Sequence, residues 1–314
     1  MAISSEVELV TPVGNQSPEL DEGFGSASRS QGRLALSRFL RSPMSMISTI
    51  VFVGIVGFCF IYPYFYKWNF ATPDLRKVAQ SAHPGQAGHI LGTDETGFDL
   101  FARLMRGTQR DFVIMVASTF VTLVIGIAIG AIAGYFGSIA DNLLMRFVDV
   151  MLSVPVLVIL IIYGNRHPNM GALQLGVVLG VFGWMGLSRL VRAQFLGLKE
   201  REFVEAAHAM GASNSRIIFR HLIPNSMGTI LVFGTIFAAI SIVLETSLTF
   251  LGVGVHQPDT SLGLLITTGV NAADTRPWLF YYPGILIVII VLAVNLIGEG
   301  IRNALDPRHN RVRD

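Results

Sequence analysis

The chain has 314 residues, of which 52% are hydrophobic and 14% charged, and its mean hydropathy is +0.57. That balance excludes a single soluble core and points to a polytopic membrane protein. The net charge of +2 gives no general attraction to nucleic acid. The lone cysteine, Cys59, rules out an internal disulfide framework.

Residues 1–32 are rich in Ser, Gly, Gln and Glu and are expected to form a disordered cytoplasmic tail. Their acidic, polar start predicts no cleavable signal peptide. A basic segment with Arg33, Arg38 and Arg41 leads into the first apolar run, so that 33–66 reads as basic segment plus first span. Further apolar runs lie at about 112–136, 143–164, 171–190, 226–254 and 283–301. Each is near the ~20 residues needed to cross the hydrocarbon core, which predicts an all-α protein with six transmembrane helices. The remaining pieces are an extracytoplasmic segment at 67–111, a membrane-spanning core at 112–303 and a C-terminal tail at 304–314.

Six crossings put both termini on one side. Placing them inside gathers Arg189, Arg192, Lys199, Arg201, Arg216, Arg220, Arg302, Arg308, Arg311 and Arg313 there, as the positive-inside rule favours. Arg103, Arg106 and Arg110 of the 67–111 segment oppose that count. Arg146 and Asp149, three apart, are expected to pair along one helix face.

Between two apolar spans, 199–225 reads as a polar hairpin of two short helices. Phe203, Ala206 and Met210 form one stripe of the first helix. Gly211 stands where a left-handed residue ends a helix, Ser213 or Asn214 can cap the second, and Pro224 is expected to stop it before the next span. Ala206 and Ala207 allow close approach of another surface, and Glu205 offers it a carboxylate.

The spacing of Glu205-Ala206-Ala207, Gly211 and Pro224, with His221-Leu222-Ile223-Pro224-Asn225, resembles the cytoplasmic loop of permease subunits in binding-protein-dependent ABC importers. Within them the chain is similar to the second, C-type permease of the dipeptide, oligopeptide and nickel branch. His89-Ile90-Leu91-Gly92-Thr93-Asp94, Gly97-Phe98-Asp99, Ser247 to Gly254, Pro277-Trp278, Pro283-Gly284, Asn295-Leu296 and Leu305-Asp306-Pro307 carry the likeness over about 33–308. The chain departs from the branch at Phe98, Leu262 and Glu299, where arginine, tryptophan and aspartate are usual.

The resemblance implies a type I importer permease fold in a bacterial cytoplasmic (inner) membrane and import of di- or oligopeptides, with nickel, glutathione or another small solute as alternative cargo. It implies a homologous second permease, two ATP-binding subunits and an extracytoplasmic peptide-binding protein as partners, with ATP and magnesium bound by the ATPases. No Walker A pattern occurs in the chain, so it is expected to be non-catalytic and to bind no cofactor itself. The hairpin residues Phe203, Glu205, Ala206, Ala207, Met210, Gly211 and Pro224 are then the coupling candidates. A stand-alone secondary transporter is the distant alternative.

Two features within the spans stay open between two readings. Gly126, Gly130 and Gly134 pack a helix closely either on the partner permease or within this subunit. Glu245, with Ser241 and Thr249 nearby, either faces the translocation pathway and meets a passing peptide, or locks one helix to another. Trp278, Tyr281 and Tyr282 read as an interfacial aromatic belt. His83, His89, Asp94, Glu95 and Asp99 have no standard tetrahedral metal spacing and are expected to bond within a turn.

Overall fold

The computed structural model describes residues 31–305, all of whose regular elements are helical. The 1–30 part of the expected tail and the 306–314 end, including Arg308, Arg311 and Arg313, lie outside the described residues.

The first helix, α1 (Gln31–Arg41), is amphipathic, and its Phe39 lies against Gly300 near the chain's last helix. Pro43 opens α2 (Pro43–Ile61), where its missing N–H has no helical partner to lose. Irregular chain follows up to α3 (Leu100–Phe136), which has 37 residues. The start of α3 corrects the expected boundary at 112. Asp99 caps it by accepting from the Ala102 amide at 2.6 Å, so a polar, arginine-bearing turn precedes the apolar part of the same helix. Hydropathy marks only the apolar part.

The apolar run at 143–164 is a broken span, α4 (Ser138–Ser153) and α5 (Val156–Arg166), bent by 72°. Pro155 causes the break: it removes a donor and holds Val154 extended at φ −82°, ψ 131°. Then come α6 (Ala172–Lys199), the short α7 (Glu202–Ala209) and α8 (Asn214–Ile217), α9 (Ile223–Phe250), a nine-residue α10 (Leu262–Val270) and α11 (Trp278–Leu305). Counting the bent pair as one crossing, the described residues hold six spans, five of them single long helices.

The spine of the fold is a parallel pairing of α3 with α6. Contacts advance together along both: Gly176 sits on Ala117, Gly180 on Val121, Gly126 on Leu187, Gly130 on Val191 and Gly134 on Phe195. Glycines on both helices bring the backbones together, and Thr122 donates across the seam to the Gly180 carbonyl at 3.2 Å. The second span's glycine stripe thus packs within this subunit.

Two helices that run parallel need a full crossing between them, which the bent α4–α5 pair supplies. The α7–α8 hairpin follows the C-terminal end of α6. At that same end lie the start of α2, whose Ser45 meets Gly300, and the finish of α11, whose Leu305 meets Gly228. Both ends of the described chain therefore sit at the hairpin end. Asp149 pairs with Arg189 of α6 instead of Arg146. A pair between i and i+3 on one helix is worth only about 0.2–0.5 kcal/mol, and the facing helix offers a tertiary partner.

At the far end, the three opposing arginines are matched by acids. Arg103 holds Asp94 at 2.9 Å, and Arg106 holds Asp259 at 2.8 Å with Arg110 beside it. The irregular segment before α3 is pinned by a buried histidine. His89 Nδ1 is 2.7 Å from Asp99, its Nε2 is 3.4 Å from Asp74, and Trp68 stacks on the ring at 4.2 Å. The Tyr66 hydroxyl donates to Asp99 at 3.2 Å. Burial, and then the Asp99 charge, push that phenol up, so it remains a donor.

Hydrogen bonds from Arg76 hold the Asp74 carboxyl well below the usual carboxylate range. Burial raises that of Asp259, but Arg106 and Arg110 more than offset it and leave it below its ordinary value. Both groups have depressed folded values, so their contribution is full above an unfolded Asp value of about 3.9 and disappears as pH falls through the folded values. Protection of the amides in residues 66–99, relative to the unfolded chain at the same pH, is accordingly expected to fall below about pH 4, ahead of that of the glycine-packed α3–α6 seam. Unchanged protection across that window would remove the pairs from the accounting.

Candidate functional site

The hairpin is built with two faces. Val204 and Ala207, three apart in α7, turn inward with Ile217 and Leu222 to join Ala131 and Tyr135 of α3 and Val191 and Phe195 of α6. Polar ties add to this apolar anchor. The Tyr135 hydroxyl donates to Asn214 at 2.9 Å and lies 3.4 Å from His208 Nε2, while Lys199 donates to the Tyr135 carbonyl at 2.8 Å. The outward face carries Phe203 (40% exposed), Met210 (81%) and Phe219 (71%). Glu205 and Ala206 are exposed among them.

Two expectations are corrected here. Ala207 is 2% exposed and belongs to the inner face, so only Ala206 is open to a partner surface. The i, i+3 spacing of Val204 and Ala207 places both toward the bundle. Pro224 does not stop the second helix. Helix runs continuously from Asn214 to Phe250, with one wide turn, Ile218–Leu222, just before the proline. Such a π turn reroutes carbonyls that a proline ring would otherwise strike and leave unpaired. The hairpin's second arm is therefore a rigid extension of a membrane-spanning helix.

Gly211 links the arms at φ +78° with nothing within 4 Å of the place a Cβ would occupy. Its amide donates to the His208 carbonyl at 2.9 Å and the next amide, of Ala212, donates to Ala207 at 3.0 Å. Ser213 then caps α8 through the Arg216 amide. The backbone angle, not space, calls for glycine. Gly211→Ala is expected to weaken the hairpin by about 1 kcal/mol, read as faster amide exchange at 207–214. Gly211→Pro should disrupt it, because proline holds φ near −65°.

The other candidates lie deep in the bundle. Ser241, Glu245 and Thr249 are 0%, 0% and 5% exposed, inside the packed helices and not on an open cavity wall. Thr249 donates to Glu245 at 2.9 Å, and Ser241 donates to the Ala238 carbonyl at 2.8 Å. Asp111, buried beside Glu245, went unnoticed in the sequence because it follows three arginines in a run that reads as a polar loop. Only the start of α3 at Leu100 makes it a buried helical residue.

The five far-end His and acidic candidates do not converge on one point: His89 meets Asp99, Asp94 meets Arg103, Glu95 meets Arg276, and the His83 ring lies tilted against Trp278 with centroids 4.5 Å apart. Trp278 and Tyr282 pack on the core, while Tyr281 is 59% exposed.

Six apolar crossings around a glycine-packed pair, with a two-armed polar hairpin at one end, define a polytopic membrane protein. The comparisons identify its family. Residues 126–311 match the family described as binding-protein-dependent transport system inner membrane component, and residues 30–84 match the N-terminal TM domain of oligopeptide transport permease C. The chain is 36% identical over 285 residues to the oligopeptide transport system permease protein OppC of Mycobacterium bovis, covering 90% of this chain and 97% of that protein. It is 34% identical to the OppC protein of Haemophilus influenzae (89% of each chain) and 33% identical to that of Bacillus subtilis (91% and 93%). The chain belongs to this family of ABC importer permeases, as a C-type member. Its fold is shared with the inward-facing MetNI methionine ABC transporter at a TM-score of 0.53 and 20% identity, over 66% of this chain and 98% of that one.

Proposed function

We propose that this chain forms one half of the translocation pathway of an ATP-driven oligopeptide importer and converts motion of separate ATPases into alternating access. The observation that carries the reading is the hairpin. Its inner face is anchored to α3 and α6, one arm continues into α9, and its outer face exposes Phe203, Met210 and Phe219 around Glu205, whose side chain has no ion pair among the described residues. Large apolar side chains in the open at a polar end mark a docking surface. A push there acts on α9 as on a lever, a rigid-body route between two states that nucleotide biases.

In this reading the partners are a homologous second permease, two ATP-binding subunits and an extracytoplasmic binding protein. The hairpin and both termini are cytoplasmic, as the basic residues around the hairpin favour, and the membrane is the inner one. The chain itself is non-catalytic and holds no cofactor; ATP and magnesium bind in the ATPases. The peptide cargo follows from what the OppC relatives are named for.

Purification of the chain from a mild detergent extract, with identification of every co-purifying subunit, tests this. A second permease, ATPases and a peptide-binding protein are expected. Recovery of the chain alone across several detergents would overturn the reading, and a metal-binding protein in place of the peptide-binding one would change the cargo.

A further inference from the structure

Where the end of α9, the first third of α3 and the N-terminus of α10 meet, the bundle encloses more negative charge than its own side chains neutralise. Glu245 and Asp111 are 0% and 2% exposed. Thr249 satisfies Glu245 Oε1 at 2.9 Å. Glu245 Oε2 and both carboxylate oxygens of Asp111 are sealed from solvent and have no hydrogen-bond partner. Gly107, one turn before Asp111 on α3, lies against the start of α10, where a Cβ on it would stand 3.0 Å from the Leu262 nitrogen and from the Ser261 carbonyl carbon. The first turn of α10 presses on the pair: a Cβ on Gly263 would stand 2.7 Å from Glu245 Oε2.

Among the described residues no cationic side chain forms an ion pair with Glu245 or Asp111. Neither α2, α9 nor α10 carries a lysine or arginine. On α3, Arg103 is turned to Asp94, and Arg106 and Arg110 are both turned to the single carboxylate of Asp259. The basic residues of α6 and α11, namely Arg189, Arg192, Lys199 and Arg302, lie toward the hairpin end. The N-terminus of α10 supplies about half a positive charge, which leaves the pair short of balance. Buried carboxylates persist when they are paired, neutralised or coordinated.

We propose that Asp111 and Glu245 form a binding site for one small monovalent cation, a proton or a sodium ion, enclosed by carboxylate oxygens with the Thr249 hydroxyl at its edge. Hard oxygen donors suit either ion. Among the described residues no group of three or more His, Cys, Asp or Glu side chains gathers as a metal site, so the pair offers two carboxylates and no third such ligand. One positive charge with the α10 dipole brings the pocket close to neutrality. The ion then ties α10 to the α3–α9 junction, whatever the cargo and whatever docks on the hairpin.

The test uses the full chain with its co-purifying subunits in lipid nanodiscs, starting from sodium-free choline buffer. Sodium occupancy predicts a melting temperature that rises by about 1–2 °C per tenfold increase in NaCl, that does not respond to choline chloride, and that loses the response in Asp111→Asn or Glu245→Gln. Proton occupancy predicts no sodium response and an infrared band of a protonated carboxyl that either variant removes. Should neither neutral variant assemble, a shift of that band in Asp111→Glu makes the assignment, and the sodium titration is read on the unaltered chain. Absence of both the sodium response and the carboxyl band would overturn the proposal.

Discussion

Glu205→Lys is expected to abolish ATP-driven uptake while leaving the chain folded and in the membrane. The side chain is exposed on α7, and no hydrogen bond or ion pair within the described residues holds it. Its reversal therefore leaves the permease fold nearly unchanged, within the ±0.5 kcal/mol typical of a surface substitution. At a docked interface the same change removes an attraction and adds a repulsion. Loss of one partner of a buried interfacial charge pair costs about 2–5 kcal/mol, or roughly thirtyfold and upward in docking.

Met210→Ala and Phe203→Ala probe the apolar part of the same surface. Met210 is 81% exposed and contributes little to the fold, while Phe203 is 40% exposed with its ring 6.4 Å from that of His221, so a fall in uptake at unchanged melting temperature would report on docking. Uptake, ATPase stimulation and subunit stoichiometry should be measured together in proteoliposomes. Normal uptake by Glu205→Lys in a complex of normal stoichiometry would remove the hairpin's outer face from the coupling path.

Gly130→Leu should have the opposite character, with loss of folded protein before any question of transport arises. A Cβ at Gly130 would stand 2.5 Å from the Ser188 carbonyl oxygen and 2.7 Å from Val191 Cβ. One of those neighbours is backbone and has no rotamer to yield. The two long helices must then separate along the seam where Gly126, Gly134, Gly176 and Gly180 also make their closest approaches.

Overpacking a tight core costs about 1–3 kcal/mol when neighbours can shift, and here they are least able to. Gly57→Leu is the control, because a Cβ at that position on α2 meets nothing within 4 Å. Thermal unfolding and yield of the purified chain separate the two. A melting temperature for Gly130→Leu equal to that of Gly57→Leu would mean that the α3–α6 contact is not the structural spine.

The class of the protein was legible from composition, because about twenty apolar residues in a row have few places to go but a bilayer. So was the hairpin, because a polar segment with a glycine at its turn stands out between two spans, and because Gly211 answers to a backbone angle that local sequence controls. The start of α3, the bend of α4–α5 and the continuity of α8 into α9 were not. Each depends on where carbonyls and amides find partners: on the Asp99 cap, on the donor missing at Pro155, and on the π turn that absorbs Pro224.

Side-chain partners across helices were hidden altogether. Asp149 reaches Arg189 and not Arg146, and Ala207 turns inward while Ala206 stays outside. Hydrophobicity and local turn chemistry are properties of neighbours in the chain, so the sequence by itself determined the membrane class, the span count and the hairpin. Which glycine meets which backbone, and that Asp111 lies buried against Glu245, are properties of neighbours in space. Only the packing of α3 against α6, α9 and α10 decided them.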